Sequence, residues 1–485
     1  MSWLGLVMFV LAGALMVASG LPVYAVLLGV ASVFAMLGVA LGAFEWRLLT
    51  ALPARVVGLL EHDLLQALPL YALVGALLHR LPLAEWMQRG AERILRRLAA
   101  APLLAALGVG ALLAPMNGSV AASLHLLSRR VGPALRQAGV AQDQALGTIC
   151  VASTLGVVIP PSLVLILLGD AMMRAHTEAA HANSAIGRIV NTQDIMRAAL
   201  WPGLTVVLVS LAIVAWQGRH AAPRPAPPPM GRGQALAATV AVVGIAALLS
   251  LVAIGRIYAV EAAATGALVL LVAGLVTRRL DRRALGAVVR EAMTLTGLLM
   301  ALLVAATTFS LVVRGFASDA LVARGVQSLA ATPTLLLAAV LFGLLICSFV
   351  LDAFEMIFLV VPLVMPPLLA VVVDAAWVAA LTLLVLQLGF LLPPLGYAVL
   401  MGRSSVADPP SLAALSRVLA PQLGARLLLI GALFFWPHLL HWNDEVVPQT
   451  ATQSNAEAER LMDEAYRRQR AADAASTPAP DTAER

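Results

Sequence analysis

The sequence predicts an all-α polytopic membrane fold arranged as an inverted repeat, with two re-entrant hairpins and two helices broken by Pro-Pro pairs. Three observations lead there. Apolar residues recur in runs long enough to cross a bilayer. Arginine clusters fall in alternate connections between those runs. A Gly-x-x-x-Pro-Pro pattern occurs twice, at Gly156 and Gly389.

Hydrophobic residues make up 61% of the chain and charged residues 12%, against about 25% charged in a soluble domain. A length of 485 residues would suit roughly three soluble domains, but the apolar runs are too long and too many for that. A bilayer core about 30 Å thick needs roughly 20 apolar residues in helical form. The net charge of +6 comes from 32 arginines and no lysine. They sit in short clusters and no nucleic-acid-binding motif accompanies them, so nucleic acid is excluded as a partner. Cys150 and Cys347 lie inside apolar runs without a CxxC partner, which speaks against a disulfide framework or a zinc site. The opening MSWLGLVMFV lacks a basic flank and reads as a first membrane helix, not a cleaved signal.

Apolar spans are expected at 3–20, 22–41, 63–79, 101–128, 145–169, 199–216, 235–254, 258–277, 292–313, 332–351, 354–373, 376–402 and 423–440. The Pro-rich stretch 217–234 cannot be helical throughout and separates a first half, 1–216, from a second, 235–440. A polar tail, 441–485, follows, with helix-forming residues around 456–470. The positive-inside rule orients the chain. With the N-terminus outside and 101–128 entering and leaving on one side, the cytoplasmic connections hold 18 arginines and the external ones 8. A plain crossing at 101–128 would instead put Arg96–Arg97 and Arg129–Arg130 on opposite sides. The same logic makes 332–373 a second hairpin, entering from outside.

Residues 154–169 and 387–402 align without gaps at an offset that also brings Pro133 onto Pro366 and Ser119 onto Asp352. In this topology the copies run in opposite directions, the architecture of many secondary transporters. Each proline removes a backbone donor, so Pro160-Pro161 and Pro393-Pro394 should break their helices in mid-membrane. Unwound backbone is tolerated at that depth only when protein-buried or lining a wet cavity. Freed carbonyls there can bind a cation and half-helix N-termini can face an anion. A pair of merely kinked structural helices is the plainer alternative.

Polar residues at membrane depth fill out the candidate site. Asn117-Gly118-Ser119 has the character of a hairpin tip, or of a surface loop. Asp352 and Glu355 interrupt an apolar run, where a carboxylate is costly unless hydrated or paired; backbone donors or an arginine would make them structural. Thr154 and Gln387 hold matching positions before the breaks, and Ser162 follows the first Pro-Pro pair. Gly156 and Gly389 would let the chain turn. Sodium sites are expected near Ser119, Gly156, Asp352 and Gly389. His62, His79, His125, His176 and His181 show no metal-binding spacing, and no P-loop or Gly-x-Ser-x-Gly elbow appears.

Taken together, NGSVAAS (117–123), STLGVVIPPS (153–162), LDAFEM (351–356), PLVMPP and LLPPLG resemble the large membrane subunit of tripartite ATP-independent periplasmic (TRAP) transporters, over about residues 3–440. GTICVASTLG, ILLGD and TTFSLVVRGFASDALV look most like the mannitol/chloroaromatic-type branch. The resemblance implies an inner-membrane permease with an elevator-type mechanism and sodium as coupling ion; the arginine pattern places both termini on the periplasmic side. It implies two partners, a small four-helix membrane subunit and a periplasmic binding protein that delivers a carboxylated substrate. The departure is at the second Pro-Pro motif, where Gly389 and Leu392 stand near positions that carry Thr or Ser in the family. A stand-alone ion-coupled organic-anion transporter is the alternative. A membrane enzyme would need a catalytic dyad or metal motif, and the sequence shows neither.

Overall fold

A computed structural model describes residues 2–60, 66–182, 190–219, 229–318, 321, 324–326 and 332–440. Half of the Pro-rich linker, His62, Arg188 and the tail with its expected helix at 456–470 lie outside the described residues. The chain forms a main body, Met1–Trp436, and a second unit, Pro437–Arg485, whose described part is the short turn Pro437–Leu439.

Every described regular element is helical. In chain order they are α1 (Trp3–Ser19), α2 (Val23–Ala40), α3 (Arg47–Thr50), α4 (Leu52–Leu60), α5 (Ala67–Arg80), α6 (Leu83–Ile94), α7 (Ala101–Asn117), α8 (Val120–Arg130), α9 (Gly132–Gln137) and α10 (Gln142–Val158). Then come α11 (Leu163–Ala182), α12 (Thr192–Gly218), α13 (Arg232–Ala253), α14 (Ala259–Val276), α15 (Arg282–Gly315), α16 (Pro333–Cys347), α17 (Ala353–Leu369), α18 (Ala375–Leu391), α19 (Tyr397–Ser404) and α20 (Leu412–Phe435). Among the described residues seven helical stretches are long and apolar enough to cross a bilayer, or eight if the bent pair α5–α6 counts as one.

Several expected boundaries move. The connection 80–97 contains a helix, α6, bent 66° from α5. It buries Leu83, Ala84 and Met87 while Arg93 is exposed, an amphipathic stripe too short to register as a span. α15 starts ten residues before the apolar run does, because Asp281 accepts a hydrogen bond from the Ala284 N–H at 2.7 Å and caps it. α20 runs from Leu412 through Pro421, so the apolar tract at 423–440 is only its second part.

Burial separates two populations of helices. The peripheral helices keep their apolar side chains outward, with Val10, Val243, Val276 and Leu428 all more than half exposed, as suits a lipid-facing surface. The stretch Gln142–His181 is different. Its most apolar window is 94% buried, against 17% for α13. Helix α10 packs against α7, α8, α12, α18 and α20, and α18 is buried along almost its whole length. The two helices that carry the Pro-Pro pairs therefore form the centre of the body. This is where unwound backbone can exist without facing hydrocarbon.

Candidate functional site

The prolines end both central helices at equivalent points. α10 stops at Val158 and α11 begins at Leu163; α18 stops at Leu391 and α19 begins at Tyr397. Both Pro160-Pro161 and Pro393-Pro394 are cis. The two copies touch at their matching positions: the Gln387 Nε2 amide donates to the Thr154 carbonyl at 3.4 Å, across a separation of 233 residues. A contact between repeat-equivalent residues is what a pseudo-twofold axis through this point produces.

The Asn117-Gly118-Ser119 turn joins α7 to α8. Gly118 takes the left-handed conformation, φ +71°, which a glycine adopts without steric cost. Ser119 then caps α8 by accepting from the Ala122 N–H. A side chain at Gly118 would press on Leu163, so this turn abuts the Pro160–Pro161 break. Ser162, fully buried, caps α11 by accepting from the Leu165 N–H at 3.1 Å. In the second copy Asp352, the residue equivalent to Ser119, does the same work for α17. Its Oδ1 accepts from the Phe354 N–H at 2.8 Å, and Glu355 Oε2 accepts from the Asp352 N–H at 3.0 Å. These carboxylates are thus satisfied by each other's backbone, the structural alternative raised by their sequence. No hydrogen bond or ion pair among the described residues links them to Asn117 or Ser119.

Two side-chain oxygens stand out. Asn117 Nδ2 donates to Ser123 Oγ at 3.3 Å, and Ser123 Oγ donates on to the Ala114 carbonyl at 3.4 Å. That chain dictates the amide's orientation and leaves Asn117 Oδ1 buried with no partner. At Gln387 the Thr154 carbonyl demands a donor, so Oε1 is the atom left buried and unpartnered. A buried acceptor without a donor is costly. Both are neutral hard oxygens of the kind a small cation takes. The Thr154 hydroxyl, by contrast, donates to Val151 within its own helix.

The expected role of the two glycines needs correction. Neither Gly156 nor Gly389 has a positive φ, and each lies inside its helix, ahead of the break. They are required by close packing. A Cβ on Gly156 would stand 2.6 Å from the Ala114 carbonyl oxygen of α7, and one on Gly389 would overlap the Ser348 side chain. The departure at Gly389 thus follows from the approach of Ser348.

Other polar groups passed unnoticed in the sequence. Arg426, almost fully buried between α12 and α20, donates through Nη1 to the Gln422 carbonyl and Oε1 at 2.8 and 2.9 Å and through Nη2 to Ser210 Oγ at 3.3 Å. An arginine inside an apolar run was the available signal. His79 pairs with Glu291 at 2.6 Å, tying α5 to α15. Its partner is 212 positions away, and no local pattern reveals that.

With this geometry in hand, comparison with known proteins is decisive for the family. The family described as "Tripartite ATP-independent periplasmic transporter, DctM component" matches residues 6–435. The chain belongs to this family. Among relatives, it is 26% identical over 362 residues to the sialic acid TRAP transporter permease SiaT of Haemophilus influenzae, covering 73% of this chain and 56% of that one. It thus spans little more than half of that relative's length. It is also 26% identical over 384 residues to the C4-dicarboxylate TRAP transporter large permease DctM of Pseudomonas aeruginosa, covering 78% of this chain and 85% of that one. The fold is similar to the YdaH transporter of Alcanivorax borkumensis, with TM-score 0.54, 17% identity and coverage of 81% and 88%. It is likewise similar to MtrF of Neisseria gonorrhoeae, with TM-score 0.51, 12% identity and coverage of 80% and 83%. The DctM-family chain is a multi-pass membrane protein, with seven helical stretches among its described residues long and apolar enough to cross a bilayer.

Proposed function

We propose that this DctM-family chain is the large permease subunit of a sodium-coupled TRAP transporter that imports a small organic acid by an elevator-type mechanism. The observation that carries the reading is the pair of orphaned amide oxygens, Asn117 Oδ1 and Gln387 Oε1, set beside the turn and the breaks at the shielded centre of the body. Sodium is the co-transported ion. Those oxygens, with backbone carbonyls of the non-helical stretches at Pro160-Pro161 and Pro393-Pro394, supply hard ligands without themselves placing net charge in the membrane. The N-termini of α8 and α11, each capped by a serine, meet at the Gly118–Leu163 contact. Their positive ends favour an anion. Asp352 puts a negative charge at the matching end of α17, which favours a cation.

The partners in this reading are a small four-helix membrane subunit and a periplasmic binding protein that delivers the substrate. The names of the relatives point to carboxylated acids, and TTFSLVVRGFASDALV to the mannitol/chloroaromatic-type branch. The location is the bacterial inner membrane, with both termini periplasmic. Uptake by reconstituted vesicles is expected only when sodium and the cognate binding protein are both present. Uptake without the binding protein would mean a stand-alone anion transporter, and uptake indifferent to sodium would remove the coupling ion.

In this topology α7 and α8 form a re-entrant hairpin. Single cysteines placed at Arg97 and Arg129 should then both be modified by an impermeant thiol reagent from the cytoplasmic face. Modification of the two from opposite faces would make the segment a plain crossing.

A further inference from the structure

A cavity of about 550 Å³ lies between α4, α11, α15 and α17, within the usual range for a small-molecule site. Its lining is graded. Arg314 of α15 pairs with Glu178 of α11 at 3.2 Å, and Arg174 pairs with Asp170 at 3.1 Å. Arg55 of α4 also lines it, exposed, its guanidinium without a hydrogen bond or ion pair among the described residues. Roughly three turns back along the same two helices the lining becomes Leu167 and Leu303, and Ile357 and Phe358 of α17 join it. Glu178 and Arg314 at the mouth are therefore at the opposite end from the apolar floor, while Asp170 stands less than one turn from Leu167. The floor adjoins the site already described, because Ala353–Glu355 packs against both α11 and α15, and α11 begins at the Gly118–Leu163 contact.

Among the described residues the lining carries three guanidinium groups against two carboxylates. Each ion pair uses a single nitrogen–oxygen contact, and an arginine presents five donors in a fixed fork. N–H groups remain available on Arg174 and Arg314 as well as on Arg55. Between mouth and floor stand Thr307 and Ser310; the Thr307 hydroxyl donates to the Leu303 carbonyl at 2.8 Å and keeps its lone pairs. With Arg174 and Arg314 each paired to a carboxylate, Arg55 is the described cation there whose charge no ion pair offsets.

We propose that this cavity binds the carboxylated substrate on its way to the central breaks, with the carboxylate at Arg55 and the mouth and the apolar body on the Leu167–Leu303–Phe358 floor. The proposal rests on the reading of the chain as an organic-acid permease, and it assigns the recognition of the carboxylate to the mouth, about three turns of α15 from the floor that adjoins the breaks.

The test is thiol accessibility in the full-length chain in lipid nanodiscs, with Ser310→Cys introduced alongside Cys347→Ala; the remaining Cys150 is buried. Thr307→Cys serves if Ser310→Cys does not fold. An anionic sulfonate methanethiosulfonate should react faster than its cationic ammonium analogue, after correction for their rates with a free thiol. Arg55→Gln should lower that preference by about fivefold, the effect of one nearby charge at the intermediate dielectric of a wet cleft. Millimolar succinate, benzoate or N-acetylneuraminate should slow modification, and succinamide should not. Equal rates for the two reagents, or no protection by any of the three acids, overturns the proposal, even in a protein that shows sodium-driven uptake. Protection by an acid in a chain without sodium-driven uptake upholds the cavity and overturns the transport reading instead.

Discussion

Gly156→Val is expected to cut the yield of monodisperse protein by at least about tenfold, as read by size-exclusion chromatography of a fluorescent fusion. A Cβ there meets the Ala114 carbonyl oxygen and carbon at 2.6 and 2.7 Å. Both atoms belong to the backbone of α7, so no rotamer change can relieve the clash. Either α7 and α10 separate or the break shifts. Overpacking a core by even a methylene costs about 1–3 kcal/mol, and valine adds three carbons at the most heavily packed helix pair of the body. Gly389→Val should fail against the Ser348 side chain, but Gly389→Ala combined with Ser348→Gly should recover, since there the obstacles are the Oγ and Cβ of one side chain. Gly13→Ala, with nothing within 4 Å, is the matched control. A normal yield of Gly156→Val with an altered sodium dependence would restore the view that this glycine serves an ion site directly.

Asp352→Asn is the second change with a large expected effect. Asparagine is as good an N-cap as aspartate, so it keeps the bonds to the Phe354 and Glu355 N–H groups and removes only the charge. On the proposed reading, sodium-driven uptake should fall by at least about tenfold, because a carboxylate charge attracts a cation far more strongly in the low dielectric of the membrane interior than in water. Assembly and thermal stability should stay close to wild type. Asp352→Ala removes cap and charge together and should additionally lower stability by about 1 kcal/mol. Wild-type uptake in Asp352→Asn would identify the residue as a cap and nothing else. Comparing it with Ser119→Ala, the equivalent cap in the first copy, separates capping from charge.

How much of this was legible in advance depended on whether the cause was local. The all-helical membrane class, the apolar spans and the two helix breaks follow from composition and from the missing donors of Pro160-Pro161 and Pro393-Pro394, which act within a turn of themselves. The gapless offset between the two Pro-Pro segments likewise needed only the letters, and α18 begins and ends 233 residues after α10. The tertiary structure decided the rest. Gly156 and Gly389 carry no mark in the sequence that distinguishes a hinge from a close approach; only the nearness of Ala114 and Ser348 does so. Asp352 and Glu355 look alike as buried charges or as caps until the first turn of α17 forms. The unpartnered oxygens of Asn117 and Gln387 exist because Ser123 and Thr154 each take the other end of an amide. The grouping of Arg55, Arg174 and Arg314 around one cavity joins three helices distant in sequence. Chain-local chemistry sets where helices start, stop and break. Which polar atoms are left over is settled only when the helices meet, because a side chain's partners are chosen by packing and not by order.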